Sequence, residues 1–441
     1  MTAKQNLMKL SSAVASVGLL STGANADDDF SNENFETRWS GFYGGINFGI
    51  GDMETGGVFD SVDTVFDNSA LSTVGAVGGG QAGWALDVGD WVVGIEGDIT
   101  GLSLGQSATD KNGKLHTLDT DYLASLQARV GKPLGDSFVF GSAGVAYLSA
   151  DVAYDVNSEN SIVDVSGFGF ITGVGIATRI APNISLGIQG NWAHFGSSNN
   201  LQGVVLDAPG TPGDSIDIEN IFTTKITLNY HFGGGLANSS NIDAANYSWS
   251  GFHVGASAGY GGVSGSGVFT SDANLSPTYA DSLTDPGAQG SVHLGYSQTV
   301  GDWLIGVEGD IGLVDWNATS EDYDGIQTSF DPNYIATLRG RAGRVMGNTL
   351  IYGTAGVAYL DASVNTNKTT TDETFDYDAF GGVFGAGIET FLSSNVALRS
   401  EALYYTFGKS VDLSTAANAE PGSSFSIDDG FKFSIGLSYH M

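Results

Sequence analysis

Apolar and polar residues alternate with a period of two along most of the chain. In the clearest run, Ile221–Phe232, every second residue from Ile226 onward is apolar and the residues between are polar. Trp91–Thr100, Tyr122–Gly131 and Ile184–Trp192 show the same pattern. This period is typical of a β-strand with one apolar and one polar face. About eight such runs occur in each half of the chain, and each approaches the roughly 9–11 residues that a tilted strand needs to cross a bilayer.

The chain contains an internal repeat. The interval between the repeated motifs is 212 residues, as from Tyr147 to Tyr359, which is the size of a whole domain rather than of a solenoid repeat. The repeat predicts a first unit at 39–232, a linker at 233–248 and a second unit at 249–441. The matching segments are Trp39–Phe42 and Trp249–Phe252, Gly94–Ile99 and Gly306–Ile311, and Gly141–Leu148 and Gly353–Leu360.

Short and long connections alternate between the predicted strands. Gly89-Asp90 and Ala181–Asn183 are tight-turn signals, whereas Gly51–Leu71, Gly105–Thr120 and Gly196–Glu219 are long and polar. Outer-membrane barrels place short turns at one end and long loops at the other. Closure also pairs every backbone polar group, which a strand in lipid requires. The sequence therefore predicts an all-β fold, a transmembrane antiparallel up-and-down β-barrel with a polar inner face.

Residues 1–26 are predicted to be a secretory signal peptide. Two lysines form a positive n-region, Ser11–Leu20 is a short apolar h-region, and Ala24–Ala26 is a cleavage site. Cleavage after Ala26 leaves an N-terminal polar segment, 27–38, ahead of the first unit. The predicted location is the cell outer membrane.

The composition excludes several functions. The 441 residues include no cysteine, and 16 Lys+Arg against 49 Asp+Glu give a net charge of −33. The acidic balance argues against nucleic acid as a partner, and the lack of cysteine removes thiol catalysis, disulfides and thiolate metal sites. Excess acid falls in predicted loops, as in Asp52–Asp67 and Asp207–Glu219, without the spacing of a calcium loop. These loops are predicted to be acidic external surface.

The few charges within predicted strands lie on the inward face. Glu96 and Asp98 are two residues apart and share a face, and Arg129 on the next strand can face them. A buried carboxylate is costly unless it is paired, so charge pairing in a filled lumen is favoured over an ion path or a paired-carboxylate active site. The predicted luminal charge cluster comprises Glu96, Asp98, Arg129, Lys225, Glu308, Asp310, Arg339, Arg341, Arg399, Glu401 and Lys432.

No catalytic, cofactor or metal motif stands in a supporting context. The six histidines have no metal-ligand spacing, and His231 and His440 occupy equivalent places in the two closing strands, where they are interpreted as polar lumen residues. Nucleophile-elbow, Walker and dinucleotide-binding motifs are not found in a matching context. The sequence predicts a protein that is not an enzyme and has no cofactor and no metal site.

Two arrangements of the duplicated strands are open. An eight-stranded barrel has an interior just wide enough for side chains, whereas sixteen strands enclose an aqueous channel. Each unit has its own opening strand, Trp39–Ile50 or Trp249–Gly261, and its own inner charges of both signs, which favours two eight-stranded barrels. One sixteen-stranded barrel is the alternative and would favour a porin-type diffusion channel for small solutes.

The motifs Trp39–Gly45, Gly94–Asp98, Gly141–Tyr147 and Leu228–Phe232, with their counterparts in the second copy, resemble those of a known family. It is the family of small outer-membrane β-barrel proteins of alphaproteobacteria, the major surface antigens and hemin-binding proteins related to the OmpA-like membrane domain. The resemblance implies eight strands per unit, an outer-membrane location and a structural or surface role in the Gram-negative envelope, with hemin or surface-ligand binding as an alternative. The expected partners are outer-membrane lipid, lipopolysaccharide and the barrel-assembly machinery; the extracellular ligand is unknown.

The chain departs from the family pattern in two ways. Family members usually carry one unit, and this chain carries two. Family chains usually end on an aromatic residue, whereas this chain ends Tyr439-His440-Met441 and the aromatic ending is internal. The predicted closing-strand assembly signal comprises Tyr230, Phe232, Tyr439 and Met441.

Overall fold

The computed structural model describes residues 39–61, 64–109, 115–156, 159–196, 215–232, 247–270, 278–282, 286–316, 318–321, 327–368, 371–412 and 424–441. The predicted signal peptide and the segment 27–38 lie outside the described residues, as do positions 233–246 of the predicted linker. Every regular element in the described ranges is a β-strand. Within these ranges, no helix is long and apolar enough to cross a membrane.

The strands fall into two sets along the chain. The first copy contains β1 (Gly41–Ser61), β2 (Thr64–Val88), β3 (Trp91–Leu102), β4 (Gly105–Thr109), β5 (Leu115–Leu134), β6 (Ser137–Val156), β7 (Glu159–Ala181), β8 (Ile184–His194) and β9 (Ser215–Phe232). The second copy contains β10 (Gly251–Thr270), β11 (Thr278–Ser282), β12 (Gly287–Val300), β13 (Trp303–Val314), β14 (Ala318–Glu321), β15 (Gln327–Met346), β16 (Thr349–Lys368), β17 (Thr371–Phe391), β18 (Val396–Asp412) and β19 (Ser424–His440).

The first copy forms a closed antiparallel barrel. Its strands pair in the order β1, β2, β3, β5, β6, β7, β8 and β9, and β9 pairs back with β1. The closing pair runs from Phe42 opposite Phe232 to Val58 opposite Ser215. The short strand β4 pairs with β5 beyond the end of β3 and so extends the third strand of the barrel. Eight strands therefore close the barrel.

The second copy closes in the same way. Its order is β10, β12, β13, β15, β16, β17, β18 and β19, and β19 pairs with β10 from His440 opposite His253 onward. The short strands β11 and β14 are extensions that pair with β10 and β15. The described strands form two separate sheets. The prediction of two tandem eight-stranded barrels is confirmed, and the alternative of one sixteen-stranded barrel is wrong.

Short turns join strands at one end of each barrel, which we call the turn end; they have two residues, except for the four-residue turn between β17 and β18. Glycine holds the first turn position at Gly89, Gly135, Gly301 and Gly347, with φ of 62°, 63°, 63° and 59°. Residues with a Cβ rarely adopt this left-handed backbone, so glycine is what permits the tight reversal. The opposite end of each barrel is called the loop end.

The strands extend further toward the loop end than their polar composition suggests. Gly51–Leu71 is predicted as a loop, yet β1 continues to Ser61 and β2 begins at Thr64. The pairing continues there after a one-residue register shift between Thr55 and Gly57, with Val58 opposite Asp67. Backbone ladder bonds need no apolar side chain, so strands can continue past the lipid-facing region where the apolar alternation stops. Asp52, predicted in that loop, is a buried residue of β1.

The interior of each barrel is divided into layers that differ in polarity. The loop-end layer is apolar, and in the first barrel it includes Met53, Leu148 and Ile171. Its counterpart in the second barrel includes Trp316 and Tyr405. Next toward the turn end is a polar and charged layer, and a smaller buried apolar cluster lies at the turn end itself. The predicted polar inner face is therefore correct for one layer only, because side chains fill the loop-end half as they fill the core of a soluble protein.

The two barrels contact each other through their outward faces. The rings of Phe222 on β9 and Phe433 on β19 lie 6.2 Å apart. At the turn end, Ser137 Oγ lies 2.8 Å from both Thr349 Oγ1 and Thr390 Oγ1. The barrels are thus packed side by side. The apolar cluster between them comprises Ile176, Ile188, Phe222, Ile388, Phe431 and Phe433.

Candidate functional site: the luminal charge networks

Glu96 lies at the centre of a small network in the first barrel. Tyr43 donates a hydrogen bond to Glu96 Oε2 over 2.9 Å. Arg129 Nη1 forms an ion pair with Glu96 and donates to Tyr43 Oη over 2.9 Å. The Arg129 guanidinium also lies 3.6 Å from the centre of the Phe140 ring. One carboxylate is therefore neutralised by one arginine and oriented by one phenol.

Asp98 anchors a second network one inward position further along β3. Its Oδ1 accepts hydrogen bonds from Lys225 Nζ over 2.9 Å and from Thr100 Oγ1 over 2.8 Å. Its Oδ2 accepts from Asn47 Nδ2 over 2.8 Å. Arg129 was predicted to face both acids, but the structure pairs it with Glu96 and pairs Lys225 with Asp98.

Glu308 is the counterpart of Glu96 and has a much denser surround. Arg399 donates to both of its oxygens, over 2.7 and 2.8 Å. Arg339 Nη2 and Arg341 Nη1 donate over 2.8 and 2.9 Å, and His253 Nε2 lies 3.1 Å from Oε2. His253 thus occupies the place that Tyr43 holds in the first barrel. Three guanidinium groups converge on one buried carboxylate.

Two further carboxylates neutralise these arginines. Glu401 pairs with Arg339 over 3.0 Å and with Arg399, and it accepts a hydrogen bond from Tyr352. Glu389 pairs with Arg341 Nη2 over 2.8 Å. Its other oxygen lies 2.9 Å from His440 Nε2. In the second barrel the network therefore balances three arginines against three glutamates.

Asp310 and Lys432 repeat the Asp98–Lys225 pair in a looser form. Lys432 Nζ lies 3.5 Å from Asp310 Oδ1 and 3.0 Å from Ser291 Oγ. The two lysines do not come from equivalent positions, because Lys432 pairs in register with Gly261 and Lys225 with Gly49, the counterpart of Gly259. Both barrels therefore have an aspartate–lysine pair, although the lysine lies at the next inward-facing position of its strand in the second barrel.

Each predicted luminal residue lies inside its barrel. Burying a charge without a partner costs several kcal/mol, on the order of 3–5 when one member of a buried pair is removed. Every acid of the predicted cluster contacts a base within 4 Å. The arrangement binds strands together across each lumen.

Several partners in these networks were not predicted from the sequence, among them Tyr43, His253 and Glu389. Tyr43 and His253 differ between the copies, so the repeat gives no signal for their shared role. Glu389 does carry a signal, because it continues the inward alternation of Gly385 and Gly387. Within the described residues, no group of three or more His, Asp or Glu side chains is placed to hold a metal ion.

The predicted closing-strand signal lies on the outward faces near the turn end. Tyr230, Phe232, Tyr439 and Met441 are all exposed. The Met441 amide donates to the Phe252 carbonyl over 2.9 Å, so the last residue still pairs with the opening strand. Their role in assembly stays a prediction.

Comparison with known proteins identifies the family. Residues 234–440 match the model of the outer membrane protein beta-barrel domain. Over 171 residues, the chain is 32% identical to a 22 kDa outer membrane protein of Rhizobium leguminosarum bv. viciae, covering 38% of this chain and 70% of that protein. The chain belongs to the outer-membrane β-barrel family. This family is the one that the sequence motifs resemble, and the outer-membrane location is confirmed with it.

Other relatives in the family match a single barrel's length. The chain is 28% identical over 179 residues to the 31 kDa outer-membrane immunogenic protein of Brucella melitensis biotype 1, covering 37% of this chain and 73% of that one. It is 28% identical over 193 residues to the 25 kDa outer-membrane immunogenic protein of the same organism, covering 43% and 82%. These are the small alphaproteobacterial proteins that the resemblance names.

Solved barrels show weaker similarity. Neisserial surface protein A has 14% identity and a TM-score of 0.26, covering 44% of this chain and 98% of its own. A Pseudomonas aeruginosa FadL homologue has 12% identity and a TM-score of 0.29, covering 91% and 90%. At these scores neither structure bears on the function of this protein.

Proposed function

We propose that this protein is a non-enzymatic envelope protein whose two filled barrels anchor acidic surface loops, and that it is not a diffusion channel. The observation that carries the proposal is the filling of both lumens. In each barrel an apolar layer lies above a charged layer, and the side chains of both layers are buried. A porin needs a continuous aqueous path, which sixteen or more strands provide and eight do not.

The acidic loops favour a surface role. The chain carries a net charge of −33, while the described luminal acids are matched by bases. The unmatched charge therefore belongs outside the lumens. We propose outer-membrane lipid and lipopolysaccharide as the surroundings of these loops, and the exposed closing-strand residues as the segment that the barrel-assembly machinery recognises. Hemin binding has no support from His231, His293 and His440, which pair with luminal serine and glutamate.

Single-channel recording tests the proposal. The purified protein, inserted in a planar bilayer beside a known porin as positive control, is expected to pass no porin-sized current steps. A closed barrel resists unfolding by detergent, so the folded protein is expected to run on a gel as a compact band until the sample is boiled. The same shift on boiling, recorded for this sample, shows that the inserted protein is folded. Porin-sized steps from the folded protein would overturn the proposal and favour the diffusion-channel alternative.

A further inference from the structure

The first barrel contains a cavity at its turn end. Trp39, Tyr43, Arg129, Ala177, Ser185 and His231 are among the residues that line it. The side chain of Arg129 remains 10% exposed toward this space, whereas its counterpart Arg341 is 1% exposed. The two barrels therefore differ in what lies against the same arginine.

The second barrel shows what fills this place. The strand register aligns the two copies. Arg129 lies opposite Gly94, and Arg341 lies opposite Gly306. In the closing pairs, His231 lies opposite Tyr43, and His440 lies opposite His253. Ala177 faces Phe138 as Glu389 faces Leu350. The first barrel thus has alanine where the second has a glutamate.

That glutamate joins two groups that the first barrel keeps. Glu389 accepts from Arg341 Nη2 over 2.8 Å and lies 2.9 Å from His440 Nε2. In the first barrel Arg129 uses Nη1 for both of its hydrogen bonds, and Nη2 makes none to the part of the chain that the structure describes. The aromatic wall is also the same: Trp39 lies edge-on to His231 at 5.6 Å, and Trp249 lies edge-on to His440 at 5.3 Å.

A further base lies beside the cavity. Arg179 lies 4.8 Å from the Trp39 ring centre, where the second barrel places Phe391 against Trp249 at 4.4 Å. Asp136 in the adjacent turn interacts with Arg179. The Arg179–Asp136 pair replaces Phe391 and Asn348 of the second barrel and so adds no net charge beside the cavity.

From this comparison we infer that the turn-end cavity of the first barrel binds a small carboxylate anion. The atoms that Glu389 has and Ala177 lacks are one methylene and one carboxylate, which together are acetate. The anion accepts from Arg129 Nη2 and from the His231 and Ser185 pair, whose Nε2 and Oγ are 2.9 Å apart. Hydrogen bonds in which an ionised carboxylate meets guanidinium are among the stronger ones in proteins.

Acetate is the probe for the test. Saturation-transfer NMR of the acetate methyl protons is recorded with the full-length mature protein in perdeuterated micelles, with empty micelles as the blank and chloride holding the ionic strength constant. The wild-type protein is expected to give a signal above the blank. Ala177→Glu supplies the missing carboxylate from the chain and is expected to reduce that signal to the blank. Glu389→Ala opens a second cavity of the same kind and is expected to increase it.

Thermal unfolding gives an independent readout. Ala177→Glu is expected to raise the midpoint for loss of the strand circular dichroism signal, and Ala177→Gln, equal in size but uncharged, is expected not to raise it. Glu389→Ala is expected to lower the midpoint in chloride and to regain part of it in acetate, because a ligand that binds only the folded state stabilises it. A wild-type acetate signal equal to the blank, or one that Ala177→Glu leaves unchanged, would overturn the inference.

Discussion

Glu308 accepts hydrogen bonds from three arginines, whereas its counterpart Glu96 faces one arginine and one tyrosine. We expect Glu308→Gln to destabilise the protein more than Glu96→Gln, because it leaves more buried positive charge without a partner. The expected loss for Glu308→Gln is on the order of 3–5 kcal/mol, typical of a broken buried pair. The free energy of unfolding of both variants is measured by following the loss of the folded, unboiled gel band as the denaturant concentration rises.

The exposed turn residue Asp302 provides the control for that comparison. Asp302→Asn removes one acid at the turn end, where water solvates the charge. This variant is expected to leave the denaturant midpoint of unfolding unchanged within experimental error. Equal losses for Glu308→Gln and Glu96→Gln would contradict the role given to the three arginines.

At the scale of residues, inward charges could be predicted from the sequence and their partners could not. A period of two places Glu308 and Arg399 on the inner faces of their strands. Their contact spans 91 residues of chain and depends on the register of several intervening strands. The sequence pattern contains no such register, so Arg129 was predicted to face Asp98 as well as Glu96.

At the scale of elements, inward glycines allow neighbouring strands to approach. A Cβ on Gly49 of β1 would lie 1.8 Å from the Thr224 carbonyl oxygen of β9, the strand that closes the barrel. We expect Gly49→Ala to force the closing pair apart, at a cost of about 3 kcal/mol or more, because backbone cannot yield as a flexible side chain can. The fraction of protein that runs as the compact unboiled band measures closure.

Gly290 of β12 is the matched control, because a Cβ there would meet no atom within 4 Å. Gly290→Ala is expected to fold as wild type does. The Gly49 prediction fails if both variants give the same compact fraction.

The number and order of the strands could be predicted from alternation, repeat and turn signals, but the strand ends at the loop end could not. β1 and β2 continue through residues with little apolar alternation, held by cross-strand backbone pairing that places Val58 opposite Asp67. The apolar layer within each lumen was missed for a related reason. An inward Leu148 or Met53 has the same apolar character as a lipid-facing residue, and only the closed barrel separates the two environments.

At the scale of the whole molecule, the side-by-side contact makes a cysteine cross-link possible in a chain without cysteine. Ser137 and Thr349 lie on different barrels with their hydroxyl oxygens 2.8 Å apart. We expect Ser137→Cys with Thr349→Cys to form a disulfide on mild oxidation of the folded protein. The disulfide closes a loop of 212 residues along the chain, so the boiled, unreduced chain should migrate faster than the reduced one.

The control is the double variant Val145→Cys with Val357→Cys. It also places one cysteine on β6 and one on β16, but at outward positions that are exposed. No cross-link is expected for this control. If the two double variants cross-link equally, or if neither does, the barrels do not pack through the faces described above.

The closure of each barrel by its own first and last strands has a genetic consequence. Phe42 pairs with Phe232 and His253 with His440, so the chain enters and leaves each barrel at neighbouring points of the same rim. A unit with this geometry can be copied in tandem without a change of strand order, because each copy closes with its own first and last strands. Unequal recombination between the copies would likewise excise a complete barrel and leave a complete barrel behind. The gene can therefore gain or lose whole barrels in single steps, each product being able to close.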